Sequence, residues 1–375
     1  MAQIPKMQPS FYEVIQSRRL RPGALFAFVF LVILYTTVHH QDNIISAGGV
    51  PPTTPTTTTT TTDRPIASPL PGDVSVQHHH DGADWSRFAY IQYVTNAHYL
   101  CNAVMMFESL HRLGSKADRV MLHPSDMSAD DNQLLRKARD EYRVKLVPII
   151  VHSKPTADTT WAESFTKLLA FNQTDYDRVL HLDSDAVLLQ PMDELFLLPP
   201  CPVAMPRAYW LYPDVQILSS QLMLVQPSAA EFQRVMDRTS AGGADDYDME
   251  IVNYLYKDSA MVLPHRPYDL LTRTFWEEKT RAKYLGNDWE EWDPVAAYNE
   301  AKFLHFSDWP VPKPWIQTAA ADRTREETQP ACVEGVNGKP ENCAGRDLWN
   351  GFYEEFRTRR QHICESGNKY HSRSI

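Results

Sequence analysis

The run RVLHLDSDAVLL, Arg178 to Leu189, ends an apolar stretch on two carboxylates, Asp183 and Asp185, on either side of Ser184. On an extended backbone, side chains two residues apart leave the same face. Like charges held that close raise each other's pKa, and a divalent cation relieves the conflict. Mg²⁺ or Mn²⁺ suits such a pair, because both take oxygen ligands in an octahedron, commonly one or two carboxylates plus the phosphates of a substrate. The plainer alternative is a strand exit with two solvated aspartates, since D-x-D is a short string. The apolar VLHL ahead of the pair favours a buried strand that delivers it to a sheet edge.

Such a delivery needs a sheet. Phe88 to Thr95 reads as a strand, and Tyr99 to Leu113 as a helix stopped by Gly114. Arg119 to His123 is a second strand, and Ser128 opens a helix with Asp131 in its first turn. Val144 to Val151 is a third strand, Glu163 to Asn172 a helix, and Arg178 to Leu182 the fourth strand. This alternation predicts an α/β fold, a parallel sheet covered by helices on both faces, with ligands at the carboxyl ends of its strands. Neither G-x-G-x-x-G nor G-x-x-x-x-G-K-[ST] occurs, so a nucleotide bound here is gripped another way.

The 375 residues carry a net charge of -10 and are 43% hydrophobic. That balance allows a sizeable core and argues against nucleic-acid binding. Ala24 to Val38 is uncharged and follows Arg18, Arg19 and Arg21. With Pro22 and Gly23 it reaches the lower limit of about 17 residues for a membrane span. The basic flank comes first, which puts the N-terminus in the cytosol and the remainder in a lumen. A cleaved signal peptide, cut near Ser46 to Gly49, is the alternative. The Thr/Pro tract from Gly48 to Pro65 predicts an extended, O-glycosylated stem, in which His78 to His80 read as incidental.

A lumen permits disulfides. Of the five cysteines, Cys332 is free to pair with Cys343 or Cys364, Cys101 reads as a small core residue, and the odd count leaves at least one thiol free. Asn172-Gln173-Thr174 is an N-glycosylation sequon.

Three segments add specificity: VTNAHY (Val94 to Tyr99), TKLLAFNQTDYDRVLHLDSDAVLLQPMDELF (Thr166 to Phe196) and HFSDWPVPKPW (His305 to Trp315). Together, and in this order along residues 88 to 315, they resemble glycosyltransferase family 8, the glycogenin-like retaining transferases. The resemblance implies a single Rossmann-like GT-A domain that moves a sugar from a UDP-sugar, with retention of configuration, by a same-face or a double-displacement route. It implies Mn²⁺ (or Mg²⁺) held by Asp183, Asp185 and His305, and a diphosphate met by Lys313 as charge builds on it. Lys167 would reach the phosphate or donor sugar, with Ser184 in the same donor site. Thr95, Asn96 and Tyr99 would hold the uridine, and Asp248 would act as a base or oxocarbenium stabiliser.

Two departures concern the sugar. Met249 follows Asp248 where the family carries Gln, and Ser219-Ser220-Gln221 stands in place of its N-S-G. A thioether cannot replace an amide donor, so the donor sugar is expected to differ from glycogenin's. Anchor, stem and departures are similar to the fungal Golgi branch of the family, which includes N-acetylglucosaminyltransferases acting on mannose-rich glycans. The expected organisation is a cytosolic tail (1–21), signal-anchor (22–39), stem (40–84), catalytic domain (85–320) and C-terminal extension (321–375). The expected protein is a single-pass type II Golgi membrane enzyme that passes N-acetylglucosamine to a glycan or glycoprotein acceptor. A catalytically silent glycan-binding relative, or a transferase using UDP-glucose or UDP-galactose, is the alternative. The segment from Arg266 to Pro294, with Tyr268, Trp276, Tyr284, Trp289 and Trp292, offers a surface on which sugar rings can stack, although several of these side chains are expected to be core.

Overall fold

The run Arg178–Leu182 forms the centre of a sheet and is buried at every position, Arg178 and His181 included. A computed structural model describes residues 82–127, 132–151, 164–243, 246–316, 328–333 and 342–365. The chain divides into two units, residues 1–80 and 81–375, and the expected anchor and most of the stem fall outside the described residues. No helix among the described residues is long and apolar enough to cross a membrane.

The described strands are β1 (Phe88–Tyr93), β2 (Asp118–Pro124), β3 (Val144–Ile149), β4 (Arg178–Leu182), β5 (Ala186–Leu188), β6 (Val203–Pro206), β7 (Leu222–Val225), β8 (Met261–Leu263), β9 (Leu270–Leu271) and β10 (Phe303–His305). Seven form one sheet in the order β3-β2-β1-β4-β7-β6-β8, and β7 alone of these runs against the rest. The others form a small sheet, β5-β10-β9. Leu180 and Leu182 join one core with Tyr90, Val94, Leu222 and Leu224. Val179 joins a second with Ala89, Ile91, Met223 and Val225. A strand covered on both faces reads as a continuous apolar run, which is why β4 stands out in the sequence.

The described α-helices are α1 (Ala97–Arg112), α2 (Gln133–Tyr142), α3 (Ala229–Ala241), α4 (Asp248–Tyr256), α5 (His265–Tyr268), α6 (Arg273–Trp276), α7 (Glu278–Leu285), α8 (Pro294–Glu300) and α9 (Ala344–Arg360). The helix expected over Glu163 to Asn172 is present as a 3₁₀ helix, Ser164–Asn172. Gly114, past the end of α1, takes φ +71°, a conformation that favours glycine. The cap of α2 corrects the sequence expectation. Asn132, not Ser128, opens that helix, its side-chain oxygen accepting from the Leu134 N–H at 3.0 Å. Asparagine caps as well as serine, and Ser128 and Asp131 lie outside the described residues.

The cysteines bring a second correction. Cys101 is not merely a small core residue; it is bonded to Cys364, 263 residues away, while Cys332 pairs with Cys343 and Cys201 is free. Asn172 and Thr174 of the sequon are exposed. From the expected C-terminal extension, α9 lays Trp349, Phe352, Tyr353 and Phe356 into the same core as Leu180 and Leu182. That spacing is one helix face.

Candidate metal centre

β4 belongs to the large sheet and β5 to the small one, so Asp183-Ser184-Asp185 carries the chain from one to the other. β10 lies antiparallel to β5 and pairs His305 with Ala186. This register sets the imidazole beside Asp185, with Nε2 3.0 Å from Oδ1. Ligand atoms of Asp183, Asp185 and His305 all lie within 4.8 Å of one another. On an ion with ligands at about 2.1 Å, neighbouring ligands sit about 3.0 Å apart and opposite ones about 4.2 Å. The cluster has the oxygen and imidazole donors for Mg²⁺ or Mn²⁺, and its spread needs only a small inward adjustment of side chains to reach those distances, so these three residues fit the cation the sequence implies.

Two lysines approach the pair, one at each aspartate. Lys313 sits 2.7 Å from Asp185 Oδ2 and donates to the Phe306 carbonyl, while the Phe306 N–H donates to the Asp185 carbonyl at 3.0 Å. Lys167 lies 2.8 Å from Asp183 Oδ1 and 2.8 Å from Asp248 Oδ2, which also accepts from Ser220 Oγ at 2.7 Å. Exposure separates the two. The side chain of Lys313 is 34% exposed and that of Asp183 16%, against 5% for Lys167 and 3% for Asp248. Lys313 thus faces outward, whereas Lys167 is sealed behind Asp183.

The charges follow from this layering. Burial pushes the Asp183 carboxyl up, opposed by Lys167 and helped by Asp185. At Asp185 burial also acts upward, but the His305 ring and the Lys313 ammonium outweigh it and hold the carboxyl well below the usual range. Lys167 loses hydration on burial, yet Asp183 and Asp248 prevail and hold it well above its ordinary value. The inner layer is a buried carboxylate–ammonium–carboxylate chain. The outer layer is a carboxylate shared between an imidazole and a second ammonium.

The uridine residues expected from sequence gather at the same end, because β1 runs parallel to β4 with Ile91 beside His181. Thr95 is half-buried there. Asn96 also shapes the backbone, since its side-chain oxygen caps α1 by accepting from the His98 N–H at 3.0 Å. The Tyr99 ring meets Trp315 edge-on at 5.9 Å. Ser184 is buried between the aspartates. The Gln221 carbonyl accepts the Asp183 N–H at 2.8 Å, so the Ser219–Gln221 departure lies against the acidic pair.

The aromatic segment divides between core and surface, with Tyr268, Trp276 and Trp292 half-buried. Tyr284 is fully buried and Trp292 packs on Phe275 and Tyr284, while Trp289 is exposed. Three buried polar residues near the site were missed by sequence reasoning. His181, on β4 itself, stacks on Tyr93 at 5.6 Å, and burial drives its pKa well below the ordinary value, with the Lys167 charge adding to the effect. Asp269 precedes β9, and burial pushes its carboxyl well above the usual range. Asp308 lies inside the HFSDWPVPKPW run and accepts from two aromatic side chains. An acid within an otherwise aromatic and proline-rich stretch was the readable signal for the last.

Fold and site together define an α/β protein with a candidate cation cluster at the carboxyl ends of a mostly parallel sheet. No protein-family model matches the chain. It is 58% identical over 297 residues to glucose N-acetyltransferase 1 of Gibberella zeae, covering 76% of this chain and 64% of that one. The chain thus spans less than two thirds of that relative's length. It is 44% identical over 324 residues to glucose N-acetyltransferase 1 of Aspergillus fumigatus, covering 80% of this chain and 83% of that one. Among solved structures, the bifunctional glycosyltransferase WbbM matches with a TM-score of 0.47 at 14% identity, over 76% of this chain and 53% of that one. On the Aspergillus match, the chain belongs to the glucose N-acetyltransferase 1 family.

Proposed function

We propose that the chain is a GT-A glycosyltransferase that uses a divalent cation, Mn²⁺ by preference, and a UDP-sugar donor. It passes N-acetylglucosamine to a glycan acceptor with retention of configuration. The observation that carries this reading is the convergence of Asp183, Asp185 and His305 from segments 120 residues apart in sequence, with ligand atoms within 4.8 Å. A cation held there supplies a Lewis acid for a diphosphate. Lys313, cationic and partly exposed beside Asp185, offsets negative charge as the diphosphate departs. Lys167 acts from behind, compensating Asp183 in its buried setting, and Asp248 and Ser220 hold Lys167 in place. Thr95, Asn96 and Tyr99 form the uridine side.

The relatives' name pairs glucose with an N-acetyl group, which agrees with N-acetylglucosamine as the unit transferred. Two disulfides fit an oxidising lumen, and with the apolar stretch and Thr/Pro tract they support a type II Golgi membrane protein. The full chain, with Mn²⁺, is expected to release UDP from UDP-N-acetylglucosamine at least about tenfold faster than from UDP-glucose or UDP-galactose, and chelation with EDTA to stop it. Release from none of the three donors would favour the silent glycan-binding relative. Transfer of labelled acetyl from acetyl-CoA to glucose instead would overturn the reading.

A further inference from the structure

His305 and Lys313 share one short segment, and the strand that starts it, β10, is only three residues long. A strand that short cannot fix the chain beyond its end. The segment is fixed from outside. The Thr272 N–H donates to the His305 carbonyl at 2.9 Å, and Thr272 Oγ1 accepts the Ser307 N–H at 3.0 Å. Next comes Asp308, buried, whose Oδ2 accepts from Trp349 Nε1 at 2.9 Å and from the Tyr353 hydroxyl at 2.9 Å. The Asp308 carbonyl then accepts the Val311 N–H at 2.8 Å and closes the turn that leads to Lys313.

Trp349 and Tyr353 belong to α9, and α9 is itself immobilised. Phe306 meets Tyr353 at 5.0 Å and Phe356 at 5.2 Å, and Trp315 meets Phe356 at 6.0 Å and Tyr99 at 5.9 Å. Beyond these rings, Arg359 donates to Ser109 Oγ at 2.7 Å and Arg360 to Asn102 Oδ1 at 2.6 Å, both on α1. The Cys101–Cys364 bond ties the chain just past α9 to α1 as well. A buried carboxyl costs several kcal/mol unless donors meet it. Hydrophobic packing alone would hold α9 against the loop without an acid. Two directional donors on one oxygen fix the loop's register as well as its contact.

We propose that Asp308 is a positioning residue for the cation site, held by Trp349 and Tyr353 so that His305 and Lys313 meet Asp185 in one arrangement. This rests on reading Asp183, Asp185 and His305 as a cation site. Groups that support a metal ligand from outside its coordination sphere typically alter affinity 10–100-fold when removed. The test uses the full chain and Mn²⁺ alone, with affinity read from water-proton relaxation and folding from thermal unfolding without metal. Tyr353→Phe keeps the ring and removes one donor; it should weaken Mn²⁺ binding roughly 3–10-fold, and Asp308→Ala about 10–100-fold, with unfolding still cooperative. A purely structural role predicts a lower Tm with unchanged Mn²⁺ affinity. If wild type binds Mn²⁺ and the folded variants bind it within about twofold of wild type, the positioning role is overturned. Should Asp308→Ala fail to fold, Tyr353→Phe decides alone. If wild type binds no Mn²⁺, the cation reading itself fails and the positioning role goes with it.

Discussion

Replacing Asp185 with Asn is expected to lower turnover roughly 10³-fold, about 4 kcal/mol of transition-state stabilisation, while the chain still folds. Asp185 touches both His305 and Lys313, at 3.0 Å and 2.7 Å, so one substitution removes a proposed cation ligand and the anchor of the outer lysine. An amide keeps the shape and loses the charge. Lys313 would then keep its bond to the Phe306 carbonyl and lose its ion pair. Stability should change in a pH-dependent way. The folded state holds the Asp185 carboxyl below its ordinary value, so its contribution is present above the unfolded pKa and lost as pH falls through the lower folded one. In EDTA, the Tm gap between wild type and Asp185→Asn should be open at neutral pH and close on acidification. Steady-state rates with saturating donor, beside circular dichroism, check the first part. Retention of most activity would remove Asp185 from the site.

Lys167→Met should give the largest loss of stability. The ammonium is 5% exposed and stands between Asp183 and Asp248, so methionine leaves two buried carboxylates with no charge between them. Removing one partner of a buried ion pair typically costs about 3–5 kcal/mol, because the charge left behind is uncompensated. Solvent screens little at that depth. Urea unfolding should show a lower midpoint at unchanged slope. The double variant Lys167→Met, Asp248→Asn should recover part of the loss, since one orphaned charge is then gone. An unchanged midpoint for the single variant would mean that this chain of charges contributes nothing to the fold.

The large sheet was legible because Val179, Leu180 and Leu182 make β4 a mostly apolar run, and its bounds are those read from the sequence, Arg178–Leu182. The alternation of β1, α1, β2, α2 and β3 was legible for the same reason, to within a few residues at the ends. The small sheet was not. β5, β9 and β10 are two or three residues long, too short for any period to show, yet their register places His305 at Asp185. The Cys101–Cys364 bond was hidden because spacing along a chain says nothing about a pair 263 residues apart. The sequence placed Asp248 in the site but not its pairing with the buried Lys167, since a helix N-terminal aspartate is usually solvated. The aromatic residues Trp349, Phe352, Tyr353 and Phe356 stand at helical spacing, a readable sign of a packed face, but only the structure joins α9 to the core that holds Leu180 and Leu182.

Catalysis in this scheme needs one divalent ion at the crossing between two sheets. Anomalous diffraction from crystals grown with Mn²⁺ and UDP tests it most directly. The expected map has a single strong peak within bonding distance of Asp183, Asp185 and His305, with the diphosphate on its open side and Lys313 alongside. Bound UDP with no peak among those three residues would contradict it.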